Sequence, residues 1–436
     1  MMEIFQITAQ ELLDSRGNPT VEATVHLDRW TRVSAMVPSG ASTGKYEAVE
    51  LRDNEPQRYL GKGVLKAVRN ISGTIAPALI GFDVTDQKGI DRKMLELDGT
   101  DDKSHLGANA ILAVSIACLR AGAVARRLQF YEYVAEVFGK PANEPYTMPI
   151  PLINVLNGGK HAVGSSDIQE YMIVPIGAPT FAEATRWAAE TFHELKTIIR
   201  ERGWPTTVGD EGGYAPPVES NEEPLKLIME ALERAGHTPG EDIAIALDLA
   251  ASELHKDGKY HLTKDGLTLS SAELVDLLVE WTQRYPIISI EDGLDEEDWD
   301  GFALLKQKTG NKIQIVGDDL FATNPERVKL GIERETANCV LIKANQIGTI
   351  TETLDTIHLS LKHGLTAIVS HRSGETEMPF EADFSVGTGV GQVKIGSVSR
   401  SERVAEYNEL MRIERYLGGK AVLASFPFPT GAQKNT

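Results

Sequence analysis

The feature that most constrains this chain is a series of short apolar runs, which lack the two-residue alternation of a half-exposed strand. The clearest lie at 243–247, 287–290, 313–316, 339–342 and 366–369. Such runs are typical of parallel strands buried on both faces. Amphipathic helices separate them, including one that Ser270 and Glu273 open as a capping box. The alternation predicts a (β/α)8-type barrel, with a doubly wound open sheet as the alternative.

An ionisable residue follows each run. In chain order these residues are Asp248, Glu291, Asp318, Lys343 and His371, and Lys394 closes a later, less regular run at 392–394. Taken singly, each acid could cap the next helix, Lys343 could be a surface lysine and His371 an ordinary buried histidine. Because the carboxyl ends of barrel strands open on one mouth, six such residues in register predict a single site there.

The residue types at these strand ends indicate a chemistry. Three carboxylates without cysteine or clustered imidazole form a hard-oxygen site, which suits Mg²⁺. Two lysines, His371 and the adjacent Arg372 would hold an anion. A dication among such groups would stabilise the charge that builds up when a proton is removed next to a carboxylate. We therefore expect an enzyme that acts on a small anionic acid.

The first 140 residues have a different order. The segments 20–27 and 32–36 alternate like strands, and helical stretches follow at 64–79 and 108–124. Residues 138–151 are rich in glycine and proline, which is typical of a linker. We therefore predict a smaller α+β domain at 1–140 and the barrel at 141–436.

Three glycine-containing loops could close on a substrate. The loop at 38–44 resembles a P-loop, but only three residues separate Gly40 from Gly44 where the motif needs four, and Tyr46 replaces the required hydroxyl residue. ATP binding is therefore rejected. The loops at 157–161 and 209–213 are either simple turns or mobile segments that bring His161 and Glu211 to the substrate.

The amino-acid composition disfavours some classes of binding partner and indicates the cellular compartment. A formal net charge of −19 disfavours nucleic acid and anionic lipid surfaces. Cys118 and Cys339 lie in apolar segments without paired motifs, so we expect buried, reduced thiols. Residues 1–10 contain no basic region followed by an apolar run, and no stretch approaches eighteen continuous apolar residues. We therefore expect a cytoplasmic protein without a membrane span.

Nine stretches of the chain resemble the enolase family, over nearly its whole length. They lie at 13–20, 38–44, 106–110, 157–161, 209–213, 289–292, 317–320, 343–348 and 370–376. The resemblance implies an enolase-type barrel after a smaller α+β domain. It also implies Mg²⁺-dependent dehydration of 2-phosphoglycerate to phosphoenolpyruvate through an enolate, in a homodimer or an assembly of dimers.

The resemblance also implies a role for each matching residue. Asp248, Glu291 and Asp318 would bind a first Mg²⁺, and Ser42 would help to hold a second one that binds with the substrate. Lys343 would be the general base, and Glu211 the acid, supported by Glu170. His161 would be catalytic as well as substrate-binding. The other substrate-binding residues would be Ser42, Gln169, His371, Arg372, Ser373 and Lys394.

The assigned acid and base need shifted pKa values. Lys343 can act as a base near neutral pH only if its pKa falls, and we expect crowding by Lys394, Arg372 and a metal to lower it. We expect Glu170, in the same pocket, to raise the pKa of Glu211.

Some residues near the predicted mouth depart from the family pattern. The segment 378–384 replaces an acidic residue and an aliphatic strand, Ile395 and Val398 stand for the usual threonine and proline, and Ala344 is smaller than usual. Neutral repacking is one interpretation. Two other hypotheses stay open: a specialised paralogue, such as a carboxyphosphonoenolpyruvate synthase, and a non-catalytic binding or scaffold protein with the same fold.

Overall fold

The structure is a computed structural model that describes residues 2–41, 44–141, 144–310 and 312–429. Its N-terminal part is a three-stranded antiparallel sheet, in the order β1 (Gln6–Leu13), β2 (Pro19–His26) and β3 (Arg32–Met36). The strands predicted at 20–27 and 32–36 correspond to β2 and β3. No prediction covered β1, because only Ile7 in it is buried and its apolar pattern is weak.

Five helices follow this sheet. They are α1 (Leu65–Asn70), α2 (Ala76–Leu79), α3 (Gln87–Asp98), α4 (Ala108–Arg126) and α5 (Phe130–Phe138). The helix α4 is long and apolar enough to cross a membrane by length and composition, but 83% of the relevant window is buried inside the protein. It packs against β2 and β3, so its apolar surface belongs to the core of this domain.

The remaining elements are strands and helices that form and surround the barrel. In chain order they are β4 (Tyr146–Met148), β5 (Ile150–Asn157), β6 (Glu170–Val174), α6 (Phe181–Glu201), α7 (Glu223–Arg234), β7 (Ala244–Asp248), β8 (His255–Lys256), β9 (Lys259–Leu262), β10 (Leu267–Leu269), α8 (Ser271–Arg284), β11 (Ile287–Glu291), α9 (Trp299–Thr309), β12 (Gln314–Gly317), α10 (Pro325–Glu333), β13 (Cys339–Ile342), α11 (Ala344–Ile347), α12 (Ile350–Lys362), β14 (Thr366–Ser370), α13 (Phe380–Thr388), β15 (Gln392–Lys394), α14 (Ser401–Leu417) and β16 (Ala421–Leu423). The predicted capping box of Ser270 and Glu273 opens α8 and is confirmed.

Eight strands close into a barrel, in the order β5-β6-β7-β11-β12-β13-β14-β15. The barrel is confirmed, and the open-sheet alternative is wrong. One strand departs from the predicted parallel pattern: β6 runs antiparallel to both β5 and β7. The link from β5 to β6 contains a 3-10 turn, Gly159–His161, and no crossover helix. A chain that returns without a crossover pairs antiparallel, so β6 begins, rather than ends, at the mouth.

Apolar side chains fill the other end of the barrel. Ile150, Val174, Ala244 and Cys339 belong to one buried cluster there, and Phe426, only 4% exposed, packs with them. Both cysteines are free and buried, as predicted. Because this end is closed by apolar groups, a polar ligand would enter the barrel from the mouth.

The N-terminal domain contacts that mouth directly. Ser39 and Gly374 exchange two backbone hydrogen bonds of 2.8 and 2.9 Å, and the Ala41 N–H donates to Ser373 Oγ at 2.6 Å. The Ala48 N–H donates to the carbonyl of Gln346 at 2.7 Å. Residues 39–41 and 44–48 therefore form part of the wall of the mouth.

Candidate active site

The ionisable residues at the strand ends meet at the barrel mouth. Eleven of the predicted site residues line one pocket: His161, Gln169, Glu170, Glu211, Asp248, Asp318, Lys343, His371, Arg372, Ser373 and Lys394. Glu291 adjoins them, because Lys394 Nζ lies 2.8 Å from Glu291 Oε1. Ser42 lies outside the described residues.

Strand register explains why these groups converge. Asp248 pairs with Glu291 on one side and with Glu170 on the other, and Ser370 pairs with Lys394. Lys394 Nζ then reaches Asp248 Oδ2 at 3.0 Å and Glu170 Oε2 at 3.2 Å. Lys394 is thus a buried cation held among three acidic side chains.

The mouth contains a cluster of carboxylates that could hold a divalent cation. Asp248, Glu291 and Asp318 are all buried, and Glu291 Oε2 has no hydrogen-bond partner among the described residues. Asp292 accepts the N–H groups of Asp318 and Asp319 at 2.9 and 2.8 Å. The carboxylate oxygens that lie close enough together to share one ion are those of Asp292, Asp318 and Asp319, so this cluster contains only one of the three predicted ligands, Asp318. Oxygen donors of this kind are the ligands that Mg²⁺ prefers.

Glu211 forms the opposite wall of the pocket, between two imidazoles. His161 Nδ1 lies 3.5 Å from Glu211 Oε1, and His371 Nε2 lies 3.5 Å from Glu211 Oε2. The Asn154 side chain donates to Glu211 Oε2 at 3.1 Å. Glu170 is the neighbouring carboxyl, on the reversed strand β6. This wall therefore holds a carboxyl pair with imidazoles beside it.

The glycines of the loop at 209–213 are required by close packing. A Cβ on Gly209 would lie 2.8 Å from Asn157 Cβ, and one on Gly213 would lie 2.6 Å from Asn154 Oδ1. The loop therefore rests directly on β5, which fixes the position of Glu211. Glu211 lines the pocket, as the functional interpretation of the loop expects, but the close packing does not support the predicted mobility of the loop.

Comparison with known families accounts for both domains. The family described as "Enolase, N-terminal domain" matches residues 4–134, and the one described as "Enolase, C-terminal TIM barrel domain" matches residues 145–430.

The chain belongs to the enolase family.

It is therefore a lyase of the enolase superfamily, in which metal dependence is typical, and its acidic clusters are suited to a metal. The predicted boundary near residue 140 falls between the two matched segments, but no observation tests it, and it stays a prediction.

The pKa of Lys343 in this enolase-family site differs from the sequence-based expectation. Burial alone would lower the pKa, and so would Arg372 and Lys394. The carboxylate of Asp318, whose Oδ2 lies 2.5 Å from Lys343 Nζ, outweighs them and raises the pKa above its ordinary value. The expected lowering is therefore wrong for this ion-paired arrangement. Lys343 can serve as a base only when Asp318 engages another positive charge.

The carboxyl pair also differs from expectation. Burial and the neighbouring Glu211 raise the pKa of Glu170 well above its ordinary value. Burial would raise the pKa of Glu211 too, but His161 and His371 outweigh it and hold that pKa well below its ordinary value. The shared pocket does raise one pKa of the pair, as predicted, but it is the pKa of Glu170 rather than that of Glu211. The expectation for Glu211 is wrong because the imidazoles were not included in it.

The other predicted substrate-binding residues are tied to the walls of the pocket. Gln169 Nε2 lies 3.4 Å from Asp248 Oδ2. Ser373 Oγ accepts the Ala41 N–H. Arg372 donates to both carboxylate oxygens of Glu47, at 3.1 and 3.0 Å, and to Asn345 at 2.9 Å. All three are buried, so they can orient a ligand with little loss of side-chain freedom.

Several residues in or beside the pocket received no role in the sequence analysis, among them Asp319 of the acidic cluster. Asp292 directly follows Glu291, and a second acid after a strand end was a usable signal. Asn154 lies inside β5, where an amide in a buried strand was a weaker one. Glu47 and Arg403 follow no strand end, and no sequence signal distinguishes them from surface residues.

Proposed function

We propose that this enolase-family protein dehydrates 2-phosphoglycerate to phosphoenolpyruvate. The proposal rests on one observation: a lysine and a pair of carboxyl groups lie on opposite walls of the same pocket. Lys343 lies on one wall, the Glu170–Glu211 carboxyl pair lies on the other, and buried cations adjoin both. Removal of a proton and of a hydroxyl from adjacent carbons needs a base and an acid on separate sides of the substrate.

Lys343 and the carboxyl pair perform the two halves of this reaction. Lys343 Nζ accepts the proton of the carbon next to the carboxylate, and the electron pair of that C–H bond moves into the carboxylate to give the enolate. The C–O bond of the neighbouring carbon then breaks as the electrons return to form the C=C bond. The proton of the Glu170–Glu211 pair joins the departing hydroxyl, which leaves as water.

Two Mg²⁺ ions per site belong to the proposal. Asp248, Glu291 and Asp318 would hold the first, and Ser42 would help to hold a second that arrives with the substrate. When bound, Mg²⁺ supplies positive charge for the enolate and neutralises Asp318. Arg372, Lys394, His161, Gln169, His371 and Ser373 would enclose the anionic substrate.

The departures from the family pattern do not favour a different substrate. None of Ala344, Ile395, Val398 and Met378 lines the described pocket. Ile395 is fully buried, and Met378 Sδ contacts Arg120 at 3.0 Å. Their side chains take part in packing behind the mouth. This placement supports neutral repacking over the specialised paralogue.

The test is a direct comparison of substrates. Phosphoenolpyruvate formation from 2-phosphoglycerate is followed by absorbance, with Mg²⁺ and again with excess EDTA. A parallel assay supplies phosphonoformate and a phosphorylated three-carbon acid. The proposal expects Mg²⁺-dependent turnover of 2-phosphoglycerate only. Turnover of the phosphonate pair alone would replace it with the paralogue, and inactivity on both would favour the binding or scaffold hypothesis.

We further propose a cytoplasmic homodimer, or an assembly of dimers. Exposed apolar side chains on the N-terminal domain support an interface: Leu13 is 53% exposed and Leu60 is 90% exposed. The two buried free thiols suit a reducing compartment. Sedimentation velocity would test the assembly, and a monomer at micromolar concentration would contradict it.

A further inference from the structure

We propose that Arg403 is a positioning residue, which fixes the tautomer of His371 and so determines which group that imidazole presents to Glu211. The inference deepens the proposed function and rests on it for its catalytic consequence. Arg403 lies in α14, outside the pocket.

Arg403 is among the largest fully buried side chains of the protein. Its Nη1 contacts His371 Nδ1 at 2.6 Å and donates to the carbonyl of Arg372 at 2.6 Å. Its Nη2 donates to the carbonyl of Ser373 at 2.7 Å and to that of Asp210 at 3.3 Å. One guanidinium therefore links the segment 371–373 to the loop that carries Glu211.

The contact with Nδ1 determines where the imidazole holds its proton. A guanidinium has only donors and stays protonated in proteins, so Nδ1 of His371 has to accept. A neutral imidazole whose Nδ1 accepts carries its hydrogen on Nε2. The Nε2 atom is the one that faces Glu211 Oε2 at 3.5 Å. His371 thus offers an N–H, and not a lone pair, to the carboxylate.

The other groups around His371 agree with a neutral ring. Its backbone N–H donates to the carbonyl of Lys394 at 2.9 Å. Burial lowers the pKa of His371 to about 3, and Arg403 and Lys394 contribute in the same direction while Glu211 opposes them. His371 therefore acts on Glu211 through a directed N–H and not through a full charge.

Gly396 makes this arrangement possible. A Cβ at that position would lie 2.8 Å from Arg403 Cδ, 3.0 Å from the carbonyl oxygen of Glu211 and 3.0 Å from His371 Cε1. Its φ of +81° also lies in the region that favours glycine. Arg403, His371 and the Glu211 loop therefore converge on the space that a side chain at residue 396 would occupy.

The decisive experiment reads the tautomer in the intact wild-type protein. The ten histidines are labelled with ¹⁵N, and the His371 resonances are assigned by their loss in His371→Asn. The proposal expects a protonated Nε2 and an unprotonated Nδ1 at neutral pH. A proton on Nδ1 would overturn it. Because no substrate is added, this result is independent of whether the chain turns over 2-phosphoglycerate.

Two variants test the consequence for activity. Arg403→Met, which removes the donor and the charge, should lower kcat by about 100-fold while KM changes by less than about 3-fold, as expected for lost orientation of a site residue. It should also add an ionisation to the pH profile of kcat, since Nδ1 of His371 loses its donor. The matched control is Arg412→Met, on the same helix, where the arginine is 58% exposed and pairs with Glu409. An unchanged His371 spectrum and pH profile in a folded Arg403→Met protein would overturn the proposal.

Discussion

The two walls of the barrel mouth are built in different ways. On one wall, Glu291, Asp318 and Lys343 lie at the ends of neighbouring parallel strands. The register in which these strands pair therefore fixes the spacing of the three side chains. On the other wall, Glu170 begins the single reversed strand, and Glu211 lies on a loop that is held by glycine packing. The first wall, the strand-end wall, is positioned by regular secondary structure. The second, the loop wall, depends on particular close contacts.

The pKa shifts on the two walls also have different causes. On the strand-end wall, a carboxylate raises the pKa of Lys343, and on the loop wall, burial raises the pKa of Glu170 and lowers that of His371. Base and acid are therefore kept apart by geometry. Changes to each wall should therefore affect different halves of the proposed reaction.

The largest effect is expected from Lys343→Ala. Loss of the only side chain proposed to accept the proton should lower kcat on 2-phosphoglycerate by about 10⁴-fold. Steady-state assays at saturating Mg²⁺ measure it, with Lys45→Ala as the control, because that lysine is 65% exposed. A loss smaller than tenfold would show that the strand-end wall does not supply the base.

Glu211→Gln tests the loop wall. The amide keeps the shape of the side chain but cannot take part in proton transfer, so kcat should fall by about 10³-fold. Glu219→Gln is the matched control, since Glu219 is an exposed acid a few residues further along the chain. Equal activity of the two variants would contradict an acid role for the carboxyl pair.

Gly213→Ala tests whether the loop wall depends on close contacts. The new Cβ would lie 2.6 Å from Asn154 Oδ1 and 3.0 Å from the Leu156 backbone nitrogen, so the loop has to shift. Such a displacement should lower kcat by about 100-fold. Gly73→Ala, where no atom lies within 4 Å of the added Cβ, should leave kcat unchanged. If the two variants behave alike, the contrast between the walls is wrong.

The smallest expected effect concerns the segment behind the strand-end wall. Glu375 accepts the Arg372 N–H at 2.8 Å, and burial raises the pKa values of Glu375 and Glu406 to about 8. Between about pH 4.5 and 8 the folded state keeps protons that the unfolded state has released. The stabilisation is therefore complete below about pH 4.5 and is lost as the pH rises through 8.

Chemical denaturation at several pH values measures this loss. Each such group should contribute at most about 1.4 kcal/mol per pH unit to the slope of the unfolding free energy. Glu406→Gln should flatten the slope, whereas Glu409→Gln, which removes a partly exposed partner of Arg412, should not. A slope that Glu406→Gln leaves unchanged would contradict the assigned pKa shift.

The sequence predicted the strand-end wall better than the loop wall, for physical reasons. Asp318 and Lys343 end apolar runs, and barrel geometry requires such ends to converge. Glu170 begins a strand, because β6 is reversed, so only the family resemblance identified it. Arg403 acts through a contact between residues 32 positions apart, which no local pattern shows.

The pKa directions of Lys343 and Glu211 could not be predicted either. Both depend on which neighbour lies closest. Asp318 pairs with Lys343, and two imidazoles flank Glu211. The sequence indicates which groups line the pocket, but it does not show which of them lies closest to Lys343 or to Glu211.

The most direct test of the two-wall account is exchange of the α-proton of 2-phosphoglycerate with deuterated water, followed by NMR with Mg²⁺ present. If the walls act separately, Glu211→Gln continues to exchange this proton although it forms almost no phosphoenolpyruvate, and Lys343→Ala loses both activities. Exchange that persists in Lys343→Ala, or that disappears together with dehydration in Glu211→Gln, would contradict the account.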